Sequence, residues 1–291
     1  MHTSMVQMGR LLSGSNFRQQ PLLNSKQVPK WLVDNPYIVG WCRSPSLTYS
    51  QCLLSVCQIH NQTLNIWTHI GGLFLLQYQL TYGFPTHLTD PIDNLFLKFA
   101  FIGIWMSYLC SVIYHVFNTS SFELARFLSQ VDYFGITLHL IGVMLALVYF
   151  SFYHHLYFQL LYTGMYFILG AVCLVMNYFC MFNSCTNHMN SYQRSAFFCF
   201  IAMLSMPPQI YVGYLHSWTL FAMCFGSDML YVIGAIIYSS KCPEKLSPGS
   251  FDLFSSHTIF HLFIIAAGYG STVSLTLLSQ AAISLKLEVE N

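Results

Sequence analysis

Long apolar runs separated by short polar stretches dominate the chain from residue 66 onwards. Each run approaches the roughly 20 residues that a helix needs to cross a bilayer. The runs lack the alternation of apolar and polar positions that is typical of transmembrane β-strands. The pattern therefore predicts an all-α membrane protein, a seven-transmembrane helix bundle. The expected spans cover residues 66–82, 94–117, 132–152, 156–182, 195–215, 218–238 and 257–278.

Polar segments flank this predicted bundle. The resulting division of the chain is an N-terminal region at 1–65, the bundle at 66–280 and a short C-terminal tail at 281–291. Apolar residues including Leu53 and Leu54 favour a short amphipathic helix over residues 47–60, lying at the membrane interface. Pro207-Pro208 predicts a kink in the fifth span, because proline cannot donate a helical hydrogen bond.

The composition agrees with a membrane protein and gives no sign of a nucleic-acid partner. Hydrophobic residues make up 55% of the chain and charged residues only 7%, whereas soluble domains carry about 25% charged residues. The net charge of +1 gives no excess of basic residues for nucleic acid. The ten cysteines include no CxxC pair and most lie in apolar runs, so we expect free, buried thiols.

The distribution of positive charge predicts the orientation in the membrane. With seven spans, only Lys98 and Lys286 fall on the side of the C-terminus. Because cytosolic loops are enriched in Lys and Arg, the N-terminus should be cytosolic and the C-terminus outside or lumenal. The nine positive residues on the N-terminal side are Arg10, Arg18, Lys26, Lys30, Arg43, Arg126, Arg194, Lys241 and Lys245.

Five side chains that could bind a metal or take part in catalysis lie at this same predicted cytosolic face. Ser111 and His115 end the second span, Asp132 opens the third, and His257 and His261 open the seventh. Residues four apart share one face of a helix, so His257 and His261 can bind one ion together. Three histidines and a water form a known catalytic zinc arrangement. Asp132 could then accept a proton or orient a ligand, and Ser111 could bind the water or an oxyanion. The alternative is that these groups only form hydrogen bonds at headgroup level.

The same residues belong to longer motifs that identify a family. The chain resembles the progestin and adipoQ receptor family, which includes adiponectin receptors and is similar to haemolysin III-type membrane proteins. The resemblance runs from about residue 28 to the end of the seventh span. The matching motifs are VPKWLVDNPYI at 28–38, IHNQTLNIWTH at 59–69, Ser111-x3-His115, DYFGI at 132–136, Pro243-Glu244 with Pro248-Gly249, and SHTIFH at 256–261.

The resemblance implies a fold, a metal and several kinds of partner. It implies a seven-helix bundle with a cytosolic N-terminus, Zn²⁺ held by His115, His257 and His261, and functional roles for Asp132 and Ser111. Members similar to adiponectin receptors hydrolyse ceramide, whereas others are steroid-responsive receptors or Golgi regulators of kinase signalling. The expected partners are therefore a membrane lipid or steroid-like ligand and a protein ligand or cytosolic signalling partner. The expected location is the plasma membrane or the Golgi or ER membrane.

Three functions stay open at this point. The first is zinc-dependent hydrolysis of a ceramide-like lipid amide, and the second is a non-catalytic receptor or scaffold with a structural zinc. The third is movement of protons or ions by Asp132, Asp228 and His139, because ionisable groups inside a membrane are rarely without a role.

Two positions depart from the family pattern. Gln62 stands where the family usually has Glu, which could weaken an ion pair or a water-binding role. Asp228 lies inside the sixth span and has no counterpart in the family pattern. It is either a functional acid or a hydrogen-bonded acid that faces the interior of the bundle. We expect His69 to pair with neighbouring polar groups rather than act as a fourth metal ligand.

Overall fold

The regular structure of the described residues is helical. The structure is a computed structural model and describes residues 21–33, 35–85, 88–179 and 189–290, except for the side chains of 286–290. Besides the α-helices, these ranges contain 3₁₀ helices at Ser25–Gln27 and Lys30–Leu32, a π-helical turn at Gln79–Gly83 and an isolated bridge between Leu23 and Cys42. The helices are α1 Tyr49–Ser55, α2 Thr63–Tyr78, α3 Pro91–Phe117, α4 Phe122–Ser151, α5 Leu156–Tyr178, α6 Ser191–Met203, α7 Met206–Leu215, α8 Trp218–Ser240 and α9 Ser256–Glu290.

Six helical segments in the described ranges are long and apolar enough to cross a membrane. The first predicted span corresponds to α2, which has 16 residues and continues into a π-helical turn at Gln79–Gly83. This helix is shorter than the roughly 20 residues of a typical span, so the seventh crossing stays a prediction. The six segments are Pro91–Phe117, Phe122–Ser151, Leu156–Tyr178, Ser191–Leu215, Trp218–Ser240 and Ser256–Leu285.

Several helix boundaries differ from the sequence-based expectation. The third span was expected to begin at residue 132, but α4 begins ten residues earlier at Phe122, where the Ser121 hydroxyl accepts a hydrogen bond from Leu124 N at 3.1 Å. Hydropathy misses these first turns because they contain Glu123 and Arg126. The last helix, α9, runs past residue 280 to Glu290, where a tail was expected.

The fifth predicted span is interrupted as the two prolines predict. Helix α6 ends at Met203 and α7 begins at Met206, with proline in its first turn. The predicted interfacial helix is also shorter than expected, because α1 covers only Tyr49–Ser55. Its Leu53 and Leu54 side chains are exposed, as an interfacial position requires. Eight of the cysteines are described and all eight are free; Cys180 and Cys185 lie outside the described residues.

The N-terminal segment is tied to the loop between α8 and α9. The buried Glu244 carboxylate accepts a hydrogen bond from Asn35 Nδ2 and another from Ser256 N, both at 2.7 Å. Asp252 accepts from Gly40 N at 2.6 Å. Since an acid at a helix N-terminus satisfies free N–H groups there, Glu244 fixes the beginning of α9. The N-terminal segment therefore lies against the end of the helix that carries His257 and His261.

Helices α3 and α4 cross with their backbones in close approach. A Cβ atom on Gly103 would lie 2.5 Å from Leu138 O, and one on Gly142 would lie 2.9 Å from Phe99 O. Small residues allow such approach between membrane helices. The crossing matters for the site because α3 carries Ser111 and His115 and α4 carries Asp132.

We expect Gly103→Ala to destabilise the protein by about 1–3 kcal/mol, because the new methyl group overpacks a rigid backbone contact. Thermal unfolding in detergent measures the effect. The control is Gly164→Ala in α5, where a Cβ would meet nothing within 4 Å; that change should leave stability unchanged or raise it slightly. Equal behaviour of the two variants would show that the crossing does not depend on glycine.

Candidate metal site

Three histidines from two helices lie together at one end of the bundle. His115 comes from the last turn of α3, and His257 and His261 come from the first turns of α9. One ligand nitrogen from each residue lies within 4.8 Å of the other two, and the Nε2 atoms of His115 and His257 are 3.2 Å apart. His115 and His261 are each only 2% exposed. The spacing of four residues in α9 brings both of its histidines to the same face, as the sequence predicts.

Hydrogen bonds fix the ring orientation of two of these histidines. His115 Nδ1 lies 2.8 Å from Gln62 Oε1, and His261 Nδ1 lies 3.2 Å from the carbonyl oxygen of Asn65. Because carbonyl and amide oxygens only accept hydrogen bonds, each Nδ1 carries the proton and each Nε2 keeps a free lone pair. This is the tautomer of a metal-ligating histidine. Three imidazoles suit Zn²⁺, so the residues present fit a zinc ion.

Ser111 and Asp132 lie together beside the histidines. Both side chains line the inner cavity, as do His257 and His261. Ser111 lies on α3 one turn before His115, and Asp132 lies on α4 opposite it. Because α4 begins earlier than expected, Asp132 lies within the helix rather than at its start. Ser111, Asp132 and the histidines nevertheless lie close together, as the sequence predicts.

Two cavities meet at this location. The inner cavity, inside the bundle, has a volume of about 150 Å³ and is lined by Ser111, Leu140, Val143, Met144 and other mostly apolar side chains. The rim cavity has a volume of about 80 Å³, and its lining includes the N-terminal residues Trp31, Leu32, Val33, Asn35 and Ile38. The residues that line both cavities are Asp132, Tyr133, Tyr238 and His257.

Arg43 supports the site in a way that the sequence did not reveal. Its buried guanidinium donates to His115 O at 2.6 Å and to Val116 O and Asn118 Oδ1 at 2.9 Å each. These acceptors lie at the C-terminal end of α3, where a cation is favoured by the helix dipole. Burial lowers the pKa of Arg43 to about 10, so it stays charged at neutral pH. The sequence carries no signal for this contact, since its partners lie 72 to 75 residues along the chain.

His69 and His139 line the inner cavity outside the three-histidine cluster. The ring of His69 stacks on the ring of His261 with 3.8 Å between centroids. His69 thus positions the candidate ligand His261 but is not itself part of the ligand cluster. His139 Nε2 lies 2.6 Å from Tyr231 Oη. Both histidines therefore shape the cavity wall.

Asp228 is a hydrogen-bonded acid that faces the interior of the bundle. Its Oδ2 accepts from Ser205 Oγ at 2.5 Å and from Gln209 Nε2 at 2.6 Å. Ser205 occupies the break between α6 and α7, so Asp228 ties α8 to the interrupted helix. Of the two sequence-based alternatives for this residue, these contacts favour the structural one.

The helices and the histidine cluster define a polytopic helical membrane protein with a candidate metal site. A model of the family described as haemolysin-III related matches residues 57–271, and the chain belongs to that family. The resemblance to progestin and adipoQ receptors is confirmed, and the protein is an integral, multi-pass membrane protein.

Several proteins that are similar to the chain are named as receptors. It is 28% identical to the adiponectin receptor protein of Drosophila melanogaster over 84% of this chain and 56% of that protein. It is 27% identical to progestin and adipoQ receptor-like protein 1 of Caenorhabditis elegans over 85% and 58% of the two chains. Identity to human progestin and adipoQ receptor family member 3 is 25%, over 92% of each. The chain thus spans little more than half the length of its fly and worm relatives.

Proposed function

We propose that this protein is a seven-span receptor-like membrane protein that binds zinc at its cytosolic rim and hydrolyses a ceramide-like lipid amide. The observation that carries the proposal is the position of the three histidines and the Ser111–Asp132 pair between an apolar cavity and a polar one. The apolar lining of the inner cavity suits an acyl chain, and the more polar lining of the rim cavity suits a headgroup. The relatives named as adiponectin, progestin and adipoQ receptors support the receptor-like part.

Each residue of the site has a part in this reaction. Zinc bound by His115, His257 and His261 would supply a Lewis acid and a water of lowered pKa. Asp132 takes the proton from the water that attacks the amide carbon, and then delivers it to the departing amine nitrogen. The Ser111 hydroxyl, which lines the same cavity, orients the Asp132 carboxylate or the attacking water. The C–N bond breaks, giving a fatty acid and an amine.

A non-catalytic receptor with a structural zinc is the second candidate, and the Arg43 contacts favour it. A zinc ion would join α3 to α9, and Arg43 and Glu244 connect those two helix ends to the N-terminal segment. A ligand in the inner cavity could then alter what the cytosolic segment presents to a partner. Ion movement has less support, because Asp228 and His139 already have hydrogen-bond partners.

Asp132→Asn should lower the release of sphingosine from ceramide by about 10²–10⁴-fold, because it removes the general base. Ser111→Ala should also lower it, by a smaller factor. The measurement uses the purified, zinc-loaded full chain in detergent, with zinc content determined for every variant. Both variants should keep their zinc, since neither residue is a ligand.

The control is Glu123→Gln, which neutralises an exposed acid in the first turn of the same helix. It should retain wild-type turnover. A zinc-loaded wild type that releases no sphingosine would contradict the hydrolase and favour the receptor with structural zinc.

A further inference from the structure

We propose that Gln62 and Asn65 act as positioning residues for the metal ligands, and that the uncharged amide of Gln62 holds zinc affinity below the level that a carboxylate there would give. The inference rests on the proposed zinc site. Both residues lie at the beginning of α2, which supplies none of the three histidines of the cluster.

The side chain of Gln62 contacts both the site and the first turn of α2. Gln62 is the residue before the first turn of α2, yet its side chain makes no capping hydrogen bond there. Instead Oε1 accepts from His115 Nδ1 at 2.8 Å and from Asn65 Nδ2 at 2.9 Å. One amide oxygen thus receives two donors, and one of them is a candidate metal ligand.

Asn65 connects this contact to the other ligand-bearing helix. Its Oδ1 accepts from Thr258 Oγ1 at 2.7 Å, and its backbone carbonyl lies 3.2 Å from His261 Nδ1. Gln62 and Asn65, at the beginning of α2, therefore hold the Nδ1 atoms of ligands on both α3 and α9.

His60 holds the Gln62 backbone from the other side. Its Nδ1 lies 3.1 Å from Gln62 N, and its Nε2 lies 3.1 Å from Ser55 O. The ring is fully buried, and burial lowers the pKa of His60 to about 3, so it is neutral at physiological pH. A neutral ring can accept at Nδ1 and donate at Nε2, which satisfies both contacts. The position of Gln62 is thus set before any metal binds.

The charge of the acceptor decides how strongly His115 binds a cation. A carboxylate that accepts from Nδ1–H raises the basicity of the opposite nitrogen more than a neutral amide does. Gln62 supplies orientation without that charge. The site therefore binds zinc more weakly than it would with a carboxylate at this position. Gln62→Glu would add that charge with little change in shape, since Gln and Glu have nearly the same shape.

Zinc affinity of the purified full chain, measured in detergent by competition with a chelator, tests the inference. Gln62→Ala should weaken zinc binding by about 10–100-fold. Gln62→Glu should restore the hydrogen bond and bind zinc about tenfold more tightly than the wild type. Thermal midpoints of the metal-free variants show whether weaker zinc binding reflects a loss of folding. Tighter binding by Gln62→Glu identifies a positioning role, because a merely structural residue would not give it.

Gln58→Glu is the matched control. It makes the same charge change four residues earlier, and Gln58 uses only its backbone for hydrogen bonds in the described structure. Its zinc affinity should equal that of the wild type. If the wild type binds zinc but Gln62→Glu binds no more tightly, the inference is wrong and the zinc site stands. If the wild type binds no zinc under chelator-free purification, the zinc site and the inference both fall.

Discussion

Replacing His261 with alanine is expected to remove the metal from the protein. His261 is almost fully buried and shares the cluster with His115 and His257, so its loss leaves two imidazoles where a stable zinc site needs at least three protein ligands. Zinc content after chelator-free purification should fall at least about tenfold from one equivalent. Elemental analysis of the purified protein, with protein concentration determined independently, gives the value.

His154→Ala provides the comparison for this change. His154 is exposed, and its Nε2 lies 3.3 Å from Ala282 O near the far end of α9. Its removal should leave zinc content unchanged. A wild type that carries less than about half an equivalent of zinc would refute the shared premise of both candidate functions, and equal zinc in His261→Ala and the wild type would refute the ligand assignment.

Arg43→Ala is expected to cause the largest loss of stability among single changes outside the histidine cluster. Its guanidinium donates to His115 O, Val116 O, Asn118 Oδ1 and Ser55 Oγ, and only 4% of the residue is exposed. Removing it leaves buried acceptors without donors, each at a cost of about 1–3 kcal/mol. The total should be about 3–5 kcal/mol, measured as a lower thermal midpoint in detergent.

Two further variants define the cause of that loss. Arg43→Lys keeps the charge but cannot reproduce the planar set of donors, so its stability should fall between those of the wild type and Arg43→Ala. Arg126→Ala removes an exposed arginine and should cost less than about 1 kcal/mol. If Arg43→Ala and Arg126→Ala unfold at the same temperature, the buried contacts do not stabilise the end of α3.

The sequence predicts those parts of the molecule that depend on local pattern. Hydropathy locates the apolar helices because each must satisfy its own backbone within lipid, and the spacing of His257 and His261 predicts their shared face. The beginning of α4 was placed too late because its polar first turns carry no hydropathy signal. Local pattern also does not fix whether the 16 residues of α2 form a seventh span.

The supporting contacts of the site could not be predicted from pattern. The sequence shows Arg43 only as one of the positive charges on the predicted cytosolic side, although its guanidinium binds the carbonyl oxygen of a candidate ligand. Gln62 departs from the family pattern, but its contact with His115 spans 53 residues of sequence. Such contacts depend on how α2, α3 and α9 pack, which no single segment of the chain specifies.

The two cavities that meet at His257 and Asp132 have a consequence for the route of a cleaved molecule. The inner cavity is mostly apolar, whereas the rim cavity has more polar walls. A lipid amide cut at the junction would leave its acyl chain on the apolar side and its more polar part on the other. The new amino group would then face polar walls, while the fatty acyl chain would stay against apolar ones. The two ends of the cleaved bond would thus lie in different surroundings as soon as the bond breaks.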